Sequence, residues 1–556
     1  KKKARGCIYT AYTSPYQLIP AHTSPYQTIP VHTSPSHRAR GLRTNQTHST
    51  AHFHMISTRP TAGWATQTAA LEIRGRTVIH VRVETGTCPF AGQPRGQAAR
   101  KAGRRVQRLV MAARSSPSPV SAAYPSLLAD LNVVLSENVS SEGPVMRTTA
   151  PVKRNEVLLS VPESVWLTKE AVLAQDAGGA VYAGVKDMDP WIVLALSLMR
   201  GDSAAARLLM SGDVQALQSP ILWSADEVAM LDGTQIADSV ASYRQFYAQT
   251  YQSLVETGAI DAGEFPGGEG AFTAAACLVR GCSHEPVNGK QGGNVPLSLV
   301  PGIERVGHAR GEAVNVSLDV QSGLFGGQKA LAVKALRDIE AGQDVCFDFA
   351  PGMTEGHVLL NHGTIDTDAP GTFAITLVLS EEDKFFDDKI DILELNGLEA
   401  ANEFILQRGA PPPETMLAVL RLINMEAADA FLLESIFRNE VWGHVNLPIS
   451  EENERAVYES MVSGCCAVLD AYPTKIDDDL AIVNGLTPAG ARERMGAALH
   501  LGEKEVLEGT LRFFEERMTQ LKDFEYYGER RLKRLGLLDR DGKPTSWDDF
   551  MGDSIM

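Results

Sequence analysis

The sequence predicts an α+β protein in which two groups of strands flank a helical segment and an all-helical domain follows. Short apolar runs that end at Gly or Pro lie between residues 133 and 162, and further strand-like runs lie between 331 and 349. Between these groups, from about 190 to 280, apolar side chains recur at helical spacing. Strands on both sides of a helical segment indicate one mixed domain with an inserted helical lobe.

Composition and charge exclude several classes of function. The chain has 556 residues, 44% of them hydrophobic and 22% charged, which is typical of soluble globular protein. Its formal charge of −16 argues against broad binding to nucleic acid or anionic lipid, because both require basic surface. The apolar run Trp191–Met199 is too short to span a membrane. We therefore expect no nucleic acid, no membrane contact and a monomer.

The cysteines indicate neither a disulfide framework nor a metal site. Seven cysteines are an odd and sparse set in a chain of this length, which favours a reducing compartment. Cys277, Cys282 and His284 lie close together, but no second pair completes four ligands at the spacing of structural zinc. We expect no bound metal.

The first 120 residues differ in composition from the rest of the chain. They contain 18 basic and two acidic side chains, so the remaining residues carry the whole acidic excess. Tyr12–Tyr16, His22–Tyr26 and His32–Ser36 are copies of one repeat with a ten-residue period, which is low-complexity sequence. From Met55 to about Ser118 the composition is typical of an organelle transit peptide, and equally of a disordered basic tail. We place residues 1–120 outside the fold.

The strands and helices of the mixed domain can be read in order from about residue 122. Its strands are predicted at Val133–Leu135, Glu156–Val161, Leu331–Leu336 and Asp344–Phe349. Its helices are predicted at Trp191–Met199, Ser239–Leu254 and Phe272–Val279. In the last strand Val345, Phe347 and Phe349 alternate with polar residues or cysteine and share one face.

After residue 370 the pattern becomes mainly helical. One strand-like run, Thr372–Leu379, precedes helices that begin near Met416 and after Ser450, which is a plausible N-cap. The last helix has an apolar stripe from Leu507 to Leu521 at intervals of four and three residues. We therefore predict a second, all-α domain.

Two parts of the chain resemble the Rubisco large-subunit lysine methyltransferases. Lys153–Trp166 is similar to the opening strands of their SET domain. The runs Tyr472–Asp479, Glu503-Lys504 and Phe524–Leu538, which includes Tyr-Tyr-Gly-Glu-Arg-Arg-Leu-Lys, are similar to their helical substrate-binding domain. The resemblance covers about residues 130–540. It implies a SET-like domain at 121–369 with a helical insertion at about 168–285, a substrate-binding domain at 370–542 and a tail at 543–556.

The resemblance also implies an activity. Members of this family transfer a methyl group from S-adenosylmethionine to a lysine of a protein held by the C-terminal domain, and related split SET enzymes also methylate histidine. We expect a protein methyltransferase with lysine as the default acceptor. The alternative is a SET-like pseudo-enzyme that binds protein without methylating it. The transit-like composition of the basic N-terminal segment leads us to expect a chloroplast location, with the cytoplasm as the alternative.

The site residues implied by the resemblance match the family's motifs only in part. The cofactor-binding positions fall on Glu142, Gly143, Arg280, Gly307, His308 and His362. The catalytic positions are Phe349, which stands where the family has a tyrosine, and His308.

Several of these positions depart from the family pattern. Pro144 follows Gly143, so the family's second glycine is missing. Gly281 stands at the serine position of an arginine-serine-arginine stretch, Gly307 at an asparagine position and His362 at a second tyrosine position. Losing one preorganised hydrogen-bond donor costs about 10²–10³ in rate in other enzymes, so Phe349 alone predicts a slow enzyme rather than an inactive one. The alternative interpretations, in which these residues have no role in the site, are a histidine in a loop at position 308 and a histidine at a solvated helix end at position 362.

Overall fold

The computed structural model describes residues 70–73, 77–80, 119–176, 179–211, 214–284, 297–323, 327–366, 371–434, 437 and 440–545. The predicted repeat at residues 12–36 and nearly all of the 543–556 tail lie outside these ranges. Within them, no helix is long and apolar enough to cross a membrane.

The described strands are short except around the centre of each domain. They are β1 Ala70–Ile73, β2 Thr77–His80, β3 Val134–Leu135, β4 Val139–Ser140, β5 Arg147–Thr148, β6 Val157–Pro162, β7 Leu167–Thr168, β8 Ser283–His284, β9 Ser298–Leu299, β10 Gly307–His308, β11 Val316–Gly323, β12 Gly327–Ala335, β13 Cys346–Phe347, β14 Thr372–Leu379 and β15 Ala401–Gln407.

The described helices occupy the insertion and most of the C-terminal region. They are α1 Pro119–Asp130, α2 Lys169–Gln175, α3 Pro190–Arg200, α4 Ala204–Ser211, α5 Ala225–Ala229, α6 Ala237–Glu256, α7 Gly268–Cys282, α8 Glu355–His362, α9 Phe386–Leu395, α10 Glu414–Ile423, α11 Val441–Val445, α12 Glu451–Ala471, α13 Ile476–Val483, α14 Ala491–Thr519 and α15 Tyr527–Arg534.

The strands before and after the helical insertion form one sheet. Its order is β11-β12-β6-β3, and β12 pairs antiparallel with β6 so that Leu331 lies opposite Val161. These two residues are separated by the whole insertion in sequence, yet both are buried in the same core. The prediction of a split β-domain with an inserted helical lobe is therefore confirmed.

The helical insertion packs into the same core as the sheet. On α3 every residue from Ile192 to Met199 is buried, which explains why its sequence is apolar all round rather than amphipathic. The helix ends at Gly201, whose φ of 66° is the left-handed conformation that glycine adopts without strain. Helix α7 packs along α3 and brings Arg280, in its last turn, toward the end of the β-domain.

The C-terminal domain contains strands as well as helices. The strand predicted at Thr372–Leu379 is β14, and it pairs with β15, which the sequence did not predict. The full sheet order is β1-β2-β14-β15. Strands β1 and β2 thus come from the basic segment that the sequence analysis placed outside the fold.

Helix α14 belongs to both hydrophobic cores. Near its start, Met495 and Leu499 pack with the SET-like core. Farther along, Leu507 and Phe514 are buried in the core of the C-terminal domain. One continuous helix therefore connects the two domains.

Polar contacts also connect the helical insertion to the C-terminal domain. The side-chain amide of Gln235, from the insertion, donates to the carbonyl of Ala374 on β14 at 2.6 Å and accepts from its N–H at 2.9 Å. Arg492 of α14 forms an ion pair with Glu227 of α5 at 2.7 Å. The C-terminal domain is thereby attached to the helical insertion at more than one point.

Candidate active site

The centre of the site is a short parallel pair of strands, β10 and β13. Gly307 lies opposite Cys346 and His308 opposite Phe347. The side chain of Asn315 closes this crossing, because its amide donates to the carbonyl of Asp344 and accepts from the N–H of Cys346, both at 2.8 Å. These bonds fix the backbone that presents His308 and Phe349.

The loop between β4 and β5 is joined to this centre. The N–H of Met146 donates to the carbonyl of Arg305 at 2.6 Å, and the carbonyl of Met146 accepts from Val345 at 2.9 Å. The buried guanidinium of Arg305 donates to the carbonyl of Gly143 at 2.7 Å. The predicted cofactor loop, the segment before His308 and the last strand therefore meet at one place.

Three aromatic rings form a tilted stack in the site, with the planes of His308 and His362 at 41° and 47° to that of Phe349. The ring of Phe349 lies with its centroid 4.5 Å from that of His308 and 4.4 Å from that of His362. The structure thus brings together three predicted site residues that are up to 54 positions apart in sequence. Neither histidine is solvated. His308 lies on β10 with its side chain 2% exposed, and His362 is buried at the end of α8.

Both histidines are neutral in this environment. The pKa of His308 is lowered to about 3 by burial, and the positive charges of Arg310 and of a protonated His362 act in the same direction. Burial also lowers the pKa of His362 to about 4. Near pH 7 each ring therefore carries one N–H donor and one acceptor nitrogen.

Several buried polar atoms of the site lack hydrogen-bond partners among the described residues. They include Nδ1 and Nε2 of His308, Nε2 of His362 and Nε of Arg305. A buried polar group without a partner costs about 1–3 kcal/mol, so these atoms are suited to receive polar groups of a ligand. The structure in this respect fits a bound cofactor and substrate.

Arg280 occupies a supporting position. Its Nε donates to Oδ1 of Asn361 at 2.6 Å, and its guanidinium stacks on the ring of Tyr243 at 3.8 Å. Asn361 directly precedes His362, so Arg280 holds the end of α8 against α7. Cofactor binding by Arg280 stays a prediction.

Two glycines at family motif positions lie in tight packing. A Cβ on Gly281 would lie 2.6 Å from both Cβ of Ala216 and the carbonyl oxygen of Asn361. A Cβ on Gly307 would lie 2.9 Å from Cγ1 of Val145 and 3.0 Å from Sγ of Cys346. A larger family residue does not fit at either position without movement of its neighbours.

The cofactor loop is packed less tightly at Gly143 than the chain is at Gly281 and Gly307. The nearest atom to a Cβ on Gly143 would be 3.6 Å away, and Glu142 beside it is exposed. The loss of the family's second glycine to Pro144 is accommodated in the loop, since Gly143 still accepts from Arg305. Glu142 and Gly143 remain predictions as cofactor-binding residues.

Sequence reasoning missed some residues that shape the site. It singled out neither Arg305 nor Asn361, because neither belongs to the motif positions that the resemblance supplied. Glu304, which precedes Arg305, is also buried and accepts from the hydroxyl of Tyr124 and from the N–H of Gly302. Burial raises the pKa of Glu304.

The motif residues of the C-terminal domain form one buried network. The hydroxyl of Tyr472 donates to Oε2 of Glu503 at 2.5 Å. Lys504 forms an ion pair with Asp479 at 2.6 Å and donates to the carbonyl of Thr474 at 2.7 Å. These contacts join α13 to α14 and explain why the motif residues are spread over 30 positions of sequence.

The described residues contain no group of three or more His, Cys, Asp or Glu side chains placed to hold a metal ion. Cys277 and Cys282 are both buried on α7.

Comparison with known proteins places the chain among methyltransferases. A family model described as Rubisco LSMT substrate-binding matches residues 380–507. The chain is 31% identical over 407 residues to the chloroplastic ribulose-1,5 bisphosphate carboxylase/oxygenase large subunit N-methyltransferase of Nicotiana tabacum, covering 71% of this chain and 81% of that protein. It is 28% identical over 437 residues to the chloroplastic [fructose-bisphosphate aldolase]-lysine N-methyltransferase of Arabidopsis thaliana, covering 76% and 88%.

A solved structure agrees with these matches. The crystal structure of the SET domain of LSMT bound to lysine and AdoHcy superposes with a TM-score of 0.65 at 26% identity, covering 80% of this chain and all of that one. The two relatives named above are protein N-methyltransferases, and the chain matches each over most of its length. The chain therefore belongs to the Rubisco large-subunit N-methyltransferase family.

Proposed function

We propose that this protein is a protein-lysine N-methyltransferase that uses S-adenosylmethionine. The observation that carries the proposal is the convergence of the 141–146 loop, β10 and the Phe349 ring stack at one site whose buried nitrogens lack partners. The relatives named above act on protein substrates, and one related structure holds lysine and AdoHcy.

The cofactor is assigned to the side of the site formed by the 141–146 loop and β10. S-adenosylmethionine supplies a methyl group bound to a positively charged sulfur. A Cβ at Gly143 would make only ordinary contacts with the backbone of Val145, and Gly307 packs against the side chain of the same Val145. His308 contributes buried ring nitrogens beside the backbone of Phe347. Arg280 holds the end of α8, and with it His362, through its hydrogen bond to Asn361.

The aromatic rings favour the reactive form of the substrate. A lysine ammonium has an ordinary pKa of about 10.4, so forming the neutral amine near pH 7 costs roughly 4–5 kcal/mol. A buried site lined by Phe349 and two neutral imidazoles disfavours the charged ammonium through desolvation. Correct alignment of the amine contributes further, in principle up to about 7–11 kcal/mol.

The protein substrate is assigned to the C-terminal domain. The match to a substrate-binding family model over residues 380–507 supports this role. Helix α14 contributes to both cores, so a protein bound on this domain is held at a fixed position relative to the site.

Cofactor binding is the first test. Calorimetry with S-adenosylhomocysteine should show saturable binding to the folded full-length chain. The same protein should transfer label from tritiated S-adenosylmethionine to a lysine of a protein in an extract of the source cell, with Rubisco and fructose-bisphosphate aldolase as first purified candidates. Folded protein that gives no heat with S-adenosylhomocysteine would instead support the protein-binding pseudo-enzyme.

We also propose a plastid location. Both plant relatives named above are chloroplastic, and the basic composition of residues 55–118 is compatible with a transit peptide. Residues 55–120 fused to a fluorescent protein should direct it to plastids. A diffuse cytosolic signal would reject this location.

A further inference from the structure

The tautomer of His362 follows from its hydrogen bond. Its Nδ1 lies 2.9 Å from the carbonyl oxygen of Gly281. A carbonyl oxygen only accepts hydrogen bonds, so Nδ1 must carry the proton. Because the ring is neutral, Nε2 then has a lone pair and no hydrogen. His362 therefore presents an acceptor, and only an acceptor, at Nε2.

This acceptor is buried and unused. Among the described residues, no donor reaches Nε2 of His362, and the residue is 3% exposed. A buried acceptor without a donor costs about 1–3 kcal/mol. The bond between Nδ1 and Gly281 prevents the ring from turning Nε2 toward water without breaking a second interaction.

The position of the ring selects the partner. The ring of His362 lies against that of Phe349, the family tyrosine position, and Phe349 in turn contacts His308 at the strand crossing that adjoins the cofactor loop. His362 itself lies where the ends of α7 and α8 meet.

We propose that Nε2 of His362 accepts a hydrogen bond from the side-chain nitrogen of the substrate, which assigns this residue to the acceptor amine rather than to the cofactor. The inference rests on the proposed methyltransferase function. A phenol can donate and accept, whereas this nitrogen can only accept. The fitting ligand is therefore an amine with at least one N–H, and the bond orients the nitrogen without adding charge to the site.

Two substitutions separate this role from the structural bond to Gly281. In His362→Asn the amide nitrogen lies near the position of Nδ1, so it keeps a donor for Gly281 and removes the acceptor. In His362→Gln the amide reaches the position of Nε2, so it restores an acceptor and weakens the bond to Gly281. His362→Asn should therefore weaken ligand binding more than stability, and His362→Gln should lower stability more than ligand binding.

The probe is free lysine, added to protein saturated with S-adenosylhomocysteine. His362→Asn should bind lysine about tenfold more weakly than wild type, as expected for the loss of one hydrogen bond, with its melting temperature nearly unchanged. His362→Gln should bind lysine within about threefold of wild type and melt at a lower temperature. Both variants should bind S-adenosylhomocysteine like wild type.

Nitrogen NMR provides a readout that does not depend on the variants' stability. In protein labelled with ¹⁵N-histidine, the resonances absent from His362→Asn identify His362. Its Nε2 should have the chemical shift of an unprotonated nitrogen and should move when lysine is added to the S-adenosylhomocysteine complex.

The outcomes separate the two levels of the proposal. Wild-type protein that fails to bind S-adenosylhomocysteine contradicts the proposed function itself. If wild type binds S-adenosylhomocysteine, the inference is overturned by a protonated Nε2, by lysine binding that His362→Asn leaves unchanged, by undetectable lysine binding, or by a loss confined to S-adenosylhomocysteine affinity.

Discussion

Gly281 and Gly307 show how the departures from the family motifs are built into the surrounding packing. At Gly281 the obstacles to a side chain are Ala216 and the backbone of Asn361, neither of which can rotate away. At Gly307 the obstacles are the ends of two side chains, Val145 and Cys346, which have more freedom to move. Restoring a family residue at 281 should therefore be harder than at 307.

Gly281→Ser tests this packing. We expect the free energy of unfolding to fall by about 1–3 kcal/mol, the usual cost of overpacking a buried site. Urea denaturation measures the change. The matched control is Gly270→Ser on the same helix, where a Cβ would meet no atom within 4 Å, and it should change stability by less than about 0.5 kcal/mol. Equal effects of the two substitutions would show that α7 and α8 are not in close contact here.

Phe349→Tyr tests the assignment of the missing phenol. If Phe349 stands at the family tyrosine position, adding the hydroxyl should raise turnover or leave it intact, because a donor then faces the reacting groups. The matched control is Phe347→Tyr, whose ring lies 5.5 Å from that of Phe349, and it should not raise turnover. The measurement is kcat with saturating S-adenosylmethionine. A sharp loss in Phe349→Tyr with intact cofactor binding would place the tyrosine position elsewhere.

At the scale of elements, the sequence predicted what depends on local pattern. Helix α3 and strand β14 were recognised because their apolar residues are continuous. Helix α12 was recognised because Ser450 is a residue type that caps helices, and in the structure its side chain accepts from the N–H of Asn453. Strand β15 was missed because Asn402 and Glu403 interrupt its apolar residues. Helix α14 starts well before its predicted stripe, because Gly496 and Ala497 are buried small residues that give no periodic apolar signal.

The site was predictable only where motif positions could be transferred. The resemblance predicted that His308, Phe349 and His362 lie close together, because the family fold brings those positions to one site. Arg305 and Asn361 could not be identified, since their roles arise from contacts across 162 and 81 positions of sequence. A single sequence carries no local signal for such distant pairs.

The contact between α13 and α14 gives a prediction for one buried ion pair. Lys504 and Asp479 are 3% and 1% exposed, so Lys504→Met would leave a buried carboxylate without its cation. We expect a loss of about 3–5 kcal/mol in the free energy of unfolding. Arg455→Met provides the control, because its pair with Glu451 is exposed and should contribute less than about 1 kcal/mol. Similar losses for the two variants in urea denaturation would mean that Lys504 and Asp479 are solvated.

At the scale of the whole molecule, two buried carboxyls lie where the SET-like and C-terminal domains meet. Glu355 of α8 and Glu503 of α14 line the same cavity. Burial raises the pKa of Glu355 to about 7, opposed by Arg310 at 3.0 Å. Burial raises the pKa of Glu503 to about 8, opposed by its hydrogen bond from Tyr472. Both carboxyls therefore retain protons in the folded state at pH values where the unfolded chain has lost them.

These carboxyls make stability depend on pH with a definite sign. Between the unfolded pKa of about 4.3 and the folded values, the folded state binds more protons, so stability falls as pH rises, by up to about 1.4 kcal/mol per pH unit for each group. His308 and His362 act in the opposite direction, because their lowered pKa values make stability rise with pH, but only up to about 6.5. Above pH 6.5 the carboxyls act without this opposition.

We therefore expect the free energy of unfolding to decrease between pH 6.5 and about 8, and Glu503→Gln to remove much of that decrease. Glutamine is uncharged at every pH and still accepts a hydrogen bond from Tyr472, so the substitution removes the titration while keeping the contact. Urea denaturation at several pH values measures the slope. Glu515→Gln, an exposed carboxylate on the same helix, should keep the wild-type slope. If Glu503→Gln also keeps it, Glu503 is ionised in the folded protein, and the joint between the domains must contain water or a cation that stabilises the charge.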